Sequence, residues 1–276
     1  MLDLLRDRHD VRERLTAMTR LAAFGGVYSN HLALRAALAD IRRRGTDLTW
    51  CLGDLGGFGP HPDRAAEALR GAGVPMLRGN YDESVGHERA DCDCGYGDPR
   101  DRAFAQHSYD YTVARTAPDH KAWMRGLPPV QRLEIAGRRV LMCHGSPRRV
   151  NEFLWDSTCS DAFLEWLLDS FTADAILCSH SGLHWHRALS CGRHVVNVGA
   201  LGRPANDGQP RVWYAALEFD REVSVEFHPV AYDHETLATE MEAERLPPEF
   251  VATIRTGWWT TCLENLPARE RACGRY

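Results

Sequence analysis

Trp50-Cys51-Leu52-Gly53-Asp54, Val74-Pro75-Met76-Leu77-Arg78-Gly79-Asn80-Tyr81-Asp82, Val140-Leu141-Met142-Cys143-His144-Gly145-Ser146 and Ala175-Ile176-Leu177-Cys178-Ser179-His180 share one pattern. Each is a short apolar run that ends in a polar residue. Such runs, bounded by turn residues, read as buried strands. In α/β sheets ligands gather beyond the carboxyl ends of the strands. An Asp, an Asn and two His delivered there, Asp54, Asn80, His144 and His180, can converge on one metal ion. Any one of them alone reads more readily as a turn residue or a satisfied buried histidine. Four in the same setting point to a hydrolytic metal site.

Around these stretches the chain alternates strand and helix. Arg20 to Val27 is a short apolar run, and Leu34, Leu38 and Ile41 give His31 to Arg44 helical spacing. Thr49 to Leu52 reads as a strand, Pro62 to Ala72 as a helix and Val74 to Leu77 as a third strand. That rhythm belongs to parallel α/β architecture. A polar, irregular segment from Ala90 to Arg102 precedes a helical stretch that ends near Leu127-Pro128-Pro129. Arg132 to Ile135, a turn at Gly137, and Arg139 to Cys143 predict a hairpin. Phe163 to Phe171 reads as helix; Ala175 to Cys178, His194 to Val198, Val212 to Phe219 and Val223 to Val230 read as strands. Two sheets packed face to face, with helices outside, fit this order. The expected organisation is a helical extension over residues 1–19 (amphipathic from Leu2 to Met18), one domain over 20–232, and a helical C-terminal appendage over 233–276 packed on it.

Composition sets limits on function. At 276 residues, 44% hydrophobic and 26% charged, the chain has the make-up of a globular protein. A net charge of -5 gives no reason to expect nucleic acid or an anionic membrane as partner. No apolar run approaches the roughly 20 residues needed to span a bilayer, and the charged N-terminus lacks the apolar centre of a signal peptide. Nine cysteines, an odd number lying in apolar strands or scattered in loops, argue against a secreted disulfide framework. A cytoplasmic protein is expected.

The order of the motifs resembles the calcineurin-like metallophosphoesterases, whose motifs run Asp-x-His, Gly-Asp, Gly-Asn-His-Asp/Glu, His-Gly and Gly-His-x-His. The resemblance runs from about Leu21 to Phe227 and includes CLGDLGGFGP at Cys51 to Pro60, GNYDE at Gly79 to Glu83, DCDCGYGDPRD at Asp91 to Asp101, HGSP at His144 to Pro147 and NVGALGRP at Asn197 to Pro204. These runs look like the small YfcE-like bacterial branch. The resemblance implies a four-layer α/β/β/α sandwich of two mixed sheets flanked by helices. It also implies a divalent metal cofactor, metal-dependent hydrolysis of a phosphomonoester or phosphodiester, and a small phosphorylated molecule as substrate.

The departures are as telling as the match. Where the family's first strand ends in Asp-Ile-His-Gly-Asn, this chain has Gly26-Val27-Tyr28-Ser29-Asn30; where the last motif reads Gly-His-Thr-His, it has Ser179-His180-Ser181-Gly182. Gly26, Tyr28 and Gly182 therefore stand where the resemblance places the terminal ligands of one metal. Asp54, Asn80, His144 and His180 match the second metal's set. Two divalent ions about 4 Å apart repel strongly and need several carboxylates or a bridging hydroxide between them. Asp54 is the only inherited carboxylate left, so one Mn, Fe or Zn ion per chain is expected. Tyr28, His31 and His184 could act as replacement ligands for the missing site. Restoring it by Gly26→Asp, Tyr28→His and Gly182→His is expected to bring in a second ion and faster diester cleavage.

Tyr81 holds the position of the family's leaving-group histidine, and Asp82 would orient it; both are candidate catalytic residues. Arg148, Arg149 and Asn30 are candidates for substrate binding, the arginines because a guanidinium meets phosphate in bidentate fashion. Cys92 and Cys94 read as loop structure, since Cys-x-Cys is a weak signal on its own. Trp258-Trp259 could cap a ligand cleft or form a subunit contact, so a homo-oligomer stays open. Two other function classes stand beside phosphoester hydrolysis. One is a repurposed fold that runs another metal-dependent reaction in a cleft enlarged beside Gly26 and Gly182. The other is a non-catalytic, ligand-binding pseudoenzyme.

Overall fold

The alternation that predicts the two sheets is visible residue by residue in the computed structural model, which describes residues 13–15, 18–190 and 192–272. The strands are β1 (Glu13–Leu15), β2 (Thr19–Phe24), β3 (Leu48–Cys51), β4 (Val130–Ile135), β5 (Arg138–Cys143), β6 (Ala175–Cys178), β7 (His184–Ala188), β8 (His194–Val198), β9 (Val212–Phe219) and β10 (Val223–Val230). The helices are α1 (His31–Arg44), α2 (Pro62–Gly71), α3 (Asn80–Gly86), α4 (Pro99–Arg115), α5 (Pro118–Arg125), α6 (Asp161–Ser170), α7 (His234–Ala243), α8 (Pro248–Thr256) and α9 (Ala268–Ala272).

One mixed sheet has the order β1-β4-β5-β6-β8-β7 and the other β10-β9-β2-β3. In β2, Leu21 and Ala23 point into the layer between the sheets, where they meet Val140, Met142, Leu177 and Val196. Ala22 and Phe24 point the other way, onto Leu34 and Ala37 of α1 and Leu69 of α2. In β5 and β6, Leu141, Cys143, Ile176 and Cys178 face outward onto Leu164, Leu167 and Leu168 of α6. A period of two on each strand thus feeds three apolar layers at once. The result is the four-layer arrangement of helices, two sheets and helices.

Several local expectations are corrected. Of the segment expected to be an N-terminal helix, Glu13–Leu15 form a strand parallel to Leu133–Ile135; most of the remainder lies outside the described residues. Val74 to Leu77 makes only a single parallel bridge, Cys51 to Met76. Pro75 contributes its carbonyl to Cys51 but has no N–H to return, so the ladder stops. The long helix before Leu127 is broken into α4 and α5 at Pro118. His184–Ala188, whose histidines suggested ligands, is a strand antiparallel to β8. Among the described residues no helix is long and apolar enough to cross a membrane.

The C-terminal helices pack across the carboxyl ends of the strands. Leu237, Met241, Phe250 and Ile254 form a cluster with Phe58 from the loop after β3. Glu240 fastens α7 to its neighbours, accepting from Arg64 at 2.7 Å and meeting His31 Nε2 at 2.8 Å.

Candidate metal centre

Two loops must approach closely to build the centre, and glycine makes that contact. A Cβ on Gly53 would lie 2.5 Å from the Gly79 nitrogen, and one on Gly79 would lie 2.1 Å from Asp54 Oδ1. Gly53 (φ 97) and Asp54 (φ 58) are both left-handed, which turns the Asp54 side chain from the end of β3 into the interior. Asp82, at the start of α3, locks that turn. Its carboxylate accepts from the amides of Asp54 (2.7 Å), Leu55 (3.0 Å) and Gly79 (2.8 Å). Burial and the nearby Asp54 charge push the Asp82 carboxyl up to about 6. Asp82 is therefore a positioning residue for Asp54.

The ligand atoms converge. Asp54 Oδ1 accepts from the Tyr81 amide at 3.0 Å, and Oδ2 lies 3.1 Å from His144 Nε2. His144 Nδ1 sits 2.7 Å from the Leu52 carbonyl. A carbonyl can only accept, so Nδ1 carries the proton and Nε2 presents its lone pair to the site. His180 Nδ1 lies 3.2 Å from that Nε2. One ligand atom from each of Asp54, His144 and His180 falls within 4.8 Å of the others. Asn80 closes the set. Its Nδ2 donates to the Cys92 carbonyl at 2.8 Å, while Oδ1 is buried without a hydrogen-bond partner.

Electrostatics prepare the same groups. Burial alone would raise the Asp54 carboxyl, but His144, His180 and the Tyr81 amide hold it below its usual value. Burial opposes the charged form of His144, and the Asp54 carboxylate outweighs it, so that ring is raised. Burial and the neighbouring His144 push His180 down to about 3, leaving a neutral imidazole. One carboxylate, one amide oxygen and two imidazoles, with a buried oxygen left unsatisfied, fit a divalent transition metal.

The other half of the site is filled. Gly26 has φ 53, and a Cβ there would meet the Tyr28 ring and Ala200 at 3.0 Å. Gly182 has φ 76, and beside it stands the Trp259 ring, 3.4 Å from where a Cβ would be. The cleft expected to open next to these glycines is therefore closed by aromatic rings, which removes the observation that favoured a repurposed fold. Between the rings lies Arg203, its guanidinium 3.8 Å from the Trp259 ring centre and 5.1 Å from that of Phe58. Arg203 is buried and donates through Nη2 to the Thr261 carbonyl at 2.7 Å; its Nε has no hydrogen-bond partner. Asp54, Asn80, His180, Tyr28 and Arg203 line one cavity of about 50 Å³. That is room for an ion and a water or two.

The remaining candidates separate clearly. Tyr81 lines the cavity, with its hydroxyl donating to the Ala105 carbonyl at 3.3 Å. Burial and the Asp54 charge raise its phenol, and burial likewise raises that of Tyr28. Asn30 caps α1 through Oδ1 and donates from Nδ2 to the Gly202 carbonyl, so its amide is used within the fold. His31 pairs with Glu240, and His184 packs on Trp213 and Phe227 beside a different cavity; neither reaches the centre. Arg148 is bound to Glu152 and lies over Phe163 and Trp166, and Arg149 is exposed on the same loop. Neither arginine lines the cavity. Sequence reading missed Arg203, although it lies within the quoted NVGALGRP run, because nothing local distinguishes it from a loop cation.

Comparison with known proteins agrees with this architecture. Residues 20–222 match the family model of the calcineurin-like phosphoesterase superfamily domain. Protein MJ0912 of Methanocaldococcus jannaschii, described as uncharacterized, is 26% identical over 244 residues, covering 82% of this chain and 93% of its own. A metallophosphoesterase of Sphaerobacter thermophilus superposes with a TM-score of 0.67 at 24% identity, over 87% of this chain and 100% of that one. The hypothetical protein PH1004 of Pyrococcus horikoshii superposes with a TM-score of 0.72 at 18% identity, over 87% and 99%. At these identities the two structures speak for the fold.

Proposed function

The chain belongs to the calcineurin-like phosphoesterase superfamily, and on that premise we propose that it hydrolyses a small phosphoester with a single divalent ion, the second cationic position being taken by Arg203. The observation that carries this reading is the contrast across one cavity. Donor atoms of Asp54, His144 and His180 converge beside an unsatisfied Asn80 oxygen on one side, and a buried guanidinium stands on the other.

A divalent ion held by Asp54, Asn80, His144 and His180 would supply Lewis acidity and lower the pKa of water to about 7. The protein's own groups do the rest. Asp82 holds the Asp54 turn, and the Leu52 carbonyl holds the His144 ring in the tautomer that leaves Nε2 free. Arg203 keeps one unpartnered N–H for a phosphoryl oxygen, fixed in place by Trp259, Phe58 and Thr261. The Tyr81 hydroxyl donates to the Ala105 carbonyl and would have to leave that partner to reach a leaving oxygen, and its raised phenol does not readily give up a proton at neutral pH. Because the cavity is small, only the phosphoryl end of a substrate enters it, and the remainder lies outside.

The test is a panel of phosphomonoesters and diesters assayed with manganese, iron(II) or zinc. Arg203→Gln is run in parallel, with metal content measured by elemental analysis. Turnover of at least one ester, reduced in the variant at unchanged metal content, is expected. A protein that holds one ion and cleaves no ester would sink the hydrolytic reading.

A further inference from the structure

Cys92 and Cys94 are joined by a disulfide, and Cys94 lines two cavities. It lines the metal cavity with Asp54, Asn80 and His180. Cys92 and Cys94 line a second cavity of about 280 Å³, together with Asp91, Asp93 and Arg102. The short loop touches two of the four metal ligands. The Cys92 carbonyl fixes the Asn80 amide, Cys94 Sγ lies 3.6 Å from Asn80 Nδ2, and the Cys94 carbonyl faces the His180 ring. Asn80 Nδ2 and the unsatisfied Oδ1 belong to one amide, so the sulfur stands beside the side chain that would hold the ion.

We propose that Cys94 is a thiolate ligand of this centre, freed for that role when the Cys92–Cys94 disulfide is reduced, so that the redox state of the pair sets metal affinity. The proposal rests on the metal centre described above. Reduction needs a dithiol, which can approach from the second cavity. Its two thiols give up two electrons and become a disulfide, the Cys92–Cys94 S–S bond breaks, and two protons pass to the cysteine sulfurs. On ligation Cys94 releases its proton to water, and a sulfur lone pair forms the bond to the ion. A soft thiolate favours zinc or iron(II) over magnesium or calcium.

Among the described residues few other cysteines compete. Cys51, Cys143 and Cys178 are packed inside strands, and Cys159 is buried in the apolar layer under α6. Cys262 also lines the metal cavity, so the experiment must separate it from Cys94.

The full chain is reduced with a dithiol, desalted without oxygen and titrated with cobalt(II), alongside the oxidised protein. Reduced protein is expected to show a near-ultraviolet thiolate-to-cobalt charge-transfer band. It should also bind at least about tenfold more tightly than oxidised protein, since loss of a mere supporting partner already costs about 10–100-fold. Cys92→Ser leaves Cys94 free and should show the band without any reductant. Cys94→Ser should lack the band and bind equally in both states. Should Cys94→Ser fail to fold, Cys92→Ser alone decides. Equal affinity in both states with no band overturns the proposal and leaves the metal centre standing. A band that survives Cys94→Ser overturns it in favour of Cys262 or of the Cys92 thiol that this variant frees. Failure to bind cobalt in either state overturns the metal centre itself.

Discussion

Across one small cavity the protein treats polar groups in opposite ways. On the side of Asp54, Asn80, His144 and His180 it brings ligand atoms together and leaves a buried oxygen without a partner. On the side of Gly26, Tyr28 and Gly182 it leaves no vacancy, because Tyr28 folds back over Gly26, Trp259 stands beside Gly182 and Arg203 lies between aromatic faces. A buried unsatisfied oxygen costs free energy unless something binds it. On the packed aromatic side the polar atom left without a partner is the Arg203 Nε, a donor and not an acceptor. On the function proposed above, the first side would hold an ion and the second would offer a fixed side-chain charge in place of one.

The largest effect should come from breaking the ligand side. Asp54→Ala removes its carboxylate and leaves His144 without its charged partner; His180→Ala removes an imidazole. Each should weaken binding of zinc or manganese by roughly a hundredfold or more, beyond the 10–100-fold typical of a lost supporting partner. Elemental analysis after dialysis reads the result. Full metal content in both variants would remove the basis of the comparison.

The next effect should come from the filled side. Arg203→Gln shortens the side chain, leaves an amide that can still donate, and deletes the charge. If the guanidinium stabilises phosphoryl charge, ester turnover should fall about 100-fold, roughly 2.7 kcal/mol of barrier, at unchanged metal content. A loss of metal in this variant would mean that Arg203 only shapes the ligand side.

What could be read from the sequence follows the same division. The helix at His31 to Arg44 and the strands at Val212–Phe219 and Val223–Val230 were legible because local period, length and flanking turns all agree. The gathering of Asp54, Asn80, His144 and His180 in one place was legible because each follows its own apolar run. The strand at His184–Ala188 was not, since its alternating histidines competed with an interpretation as ligands. The filling of the second side was not legible either. Trp259 reaches Gly182 from the far end of the chain, and two glycines in sequence say nothing of what packs against them. Likewise Cys92 and Cys94 looked like loop structure until their loop was found against Asn80.

That lesson reverses one expectation. Gly26→Asp, Tyr28→His and Gly182→His would restore the family's ligand pattern on paper. Both glycines are left-handed, Ala200 lies 3.0 Å from a Cβ at residue 26, and Trp259 and Arg203 remain in place. The triple variant should therefore still bind one ion and lose stability by about 2–4 kcal/mol, the sum of backbone strain and crowding. Anomalous scattering that showed two ions at full occupancy would make the filled side a plastic remnant rather than a settled alternative.

The smallest effect concerns how firmly the filled side is held. The segment carrying Trp259 and Cys262 is tied down by Asp101 of α4, whose Oδ1 accepts from the Cys262 amide at 2.7 Å. Burial comes first among the causes that push the Asp101 carboxyl up to about 6; the Cys262 amide opposes it and the Glu264 carboxyl beside it reinforces it. A carboxyl raised in the folded state binds its proton more tightly there than in the unfolded chain. Its contribution to stability is thus complete below the ordinary value near 4 and is lost as pH rises through about 6. Hydrogen exchange at Cys262 and its neighbours, corrected for intrinsic rate, should show protection falling a few-fold across that window and level above it. Glu264→Gln removes the neighbouring carboxylate, lowers the Asp101 value and should shift the fall to lower pH. Protection in the wild type that stays flat from about pH 4 to 7 would mean that stacking of Arg203 on Trp259, and not this carboxyl pair, keeps the second side shut.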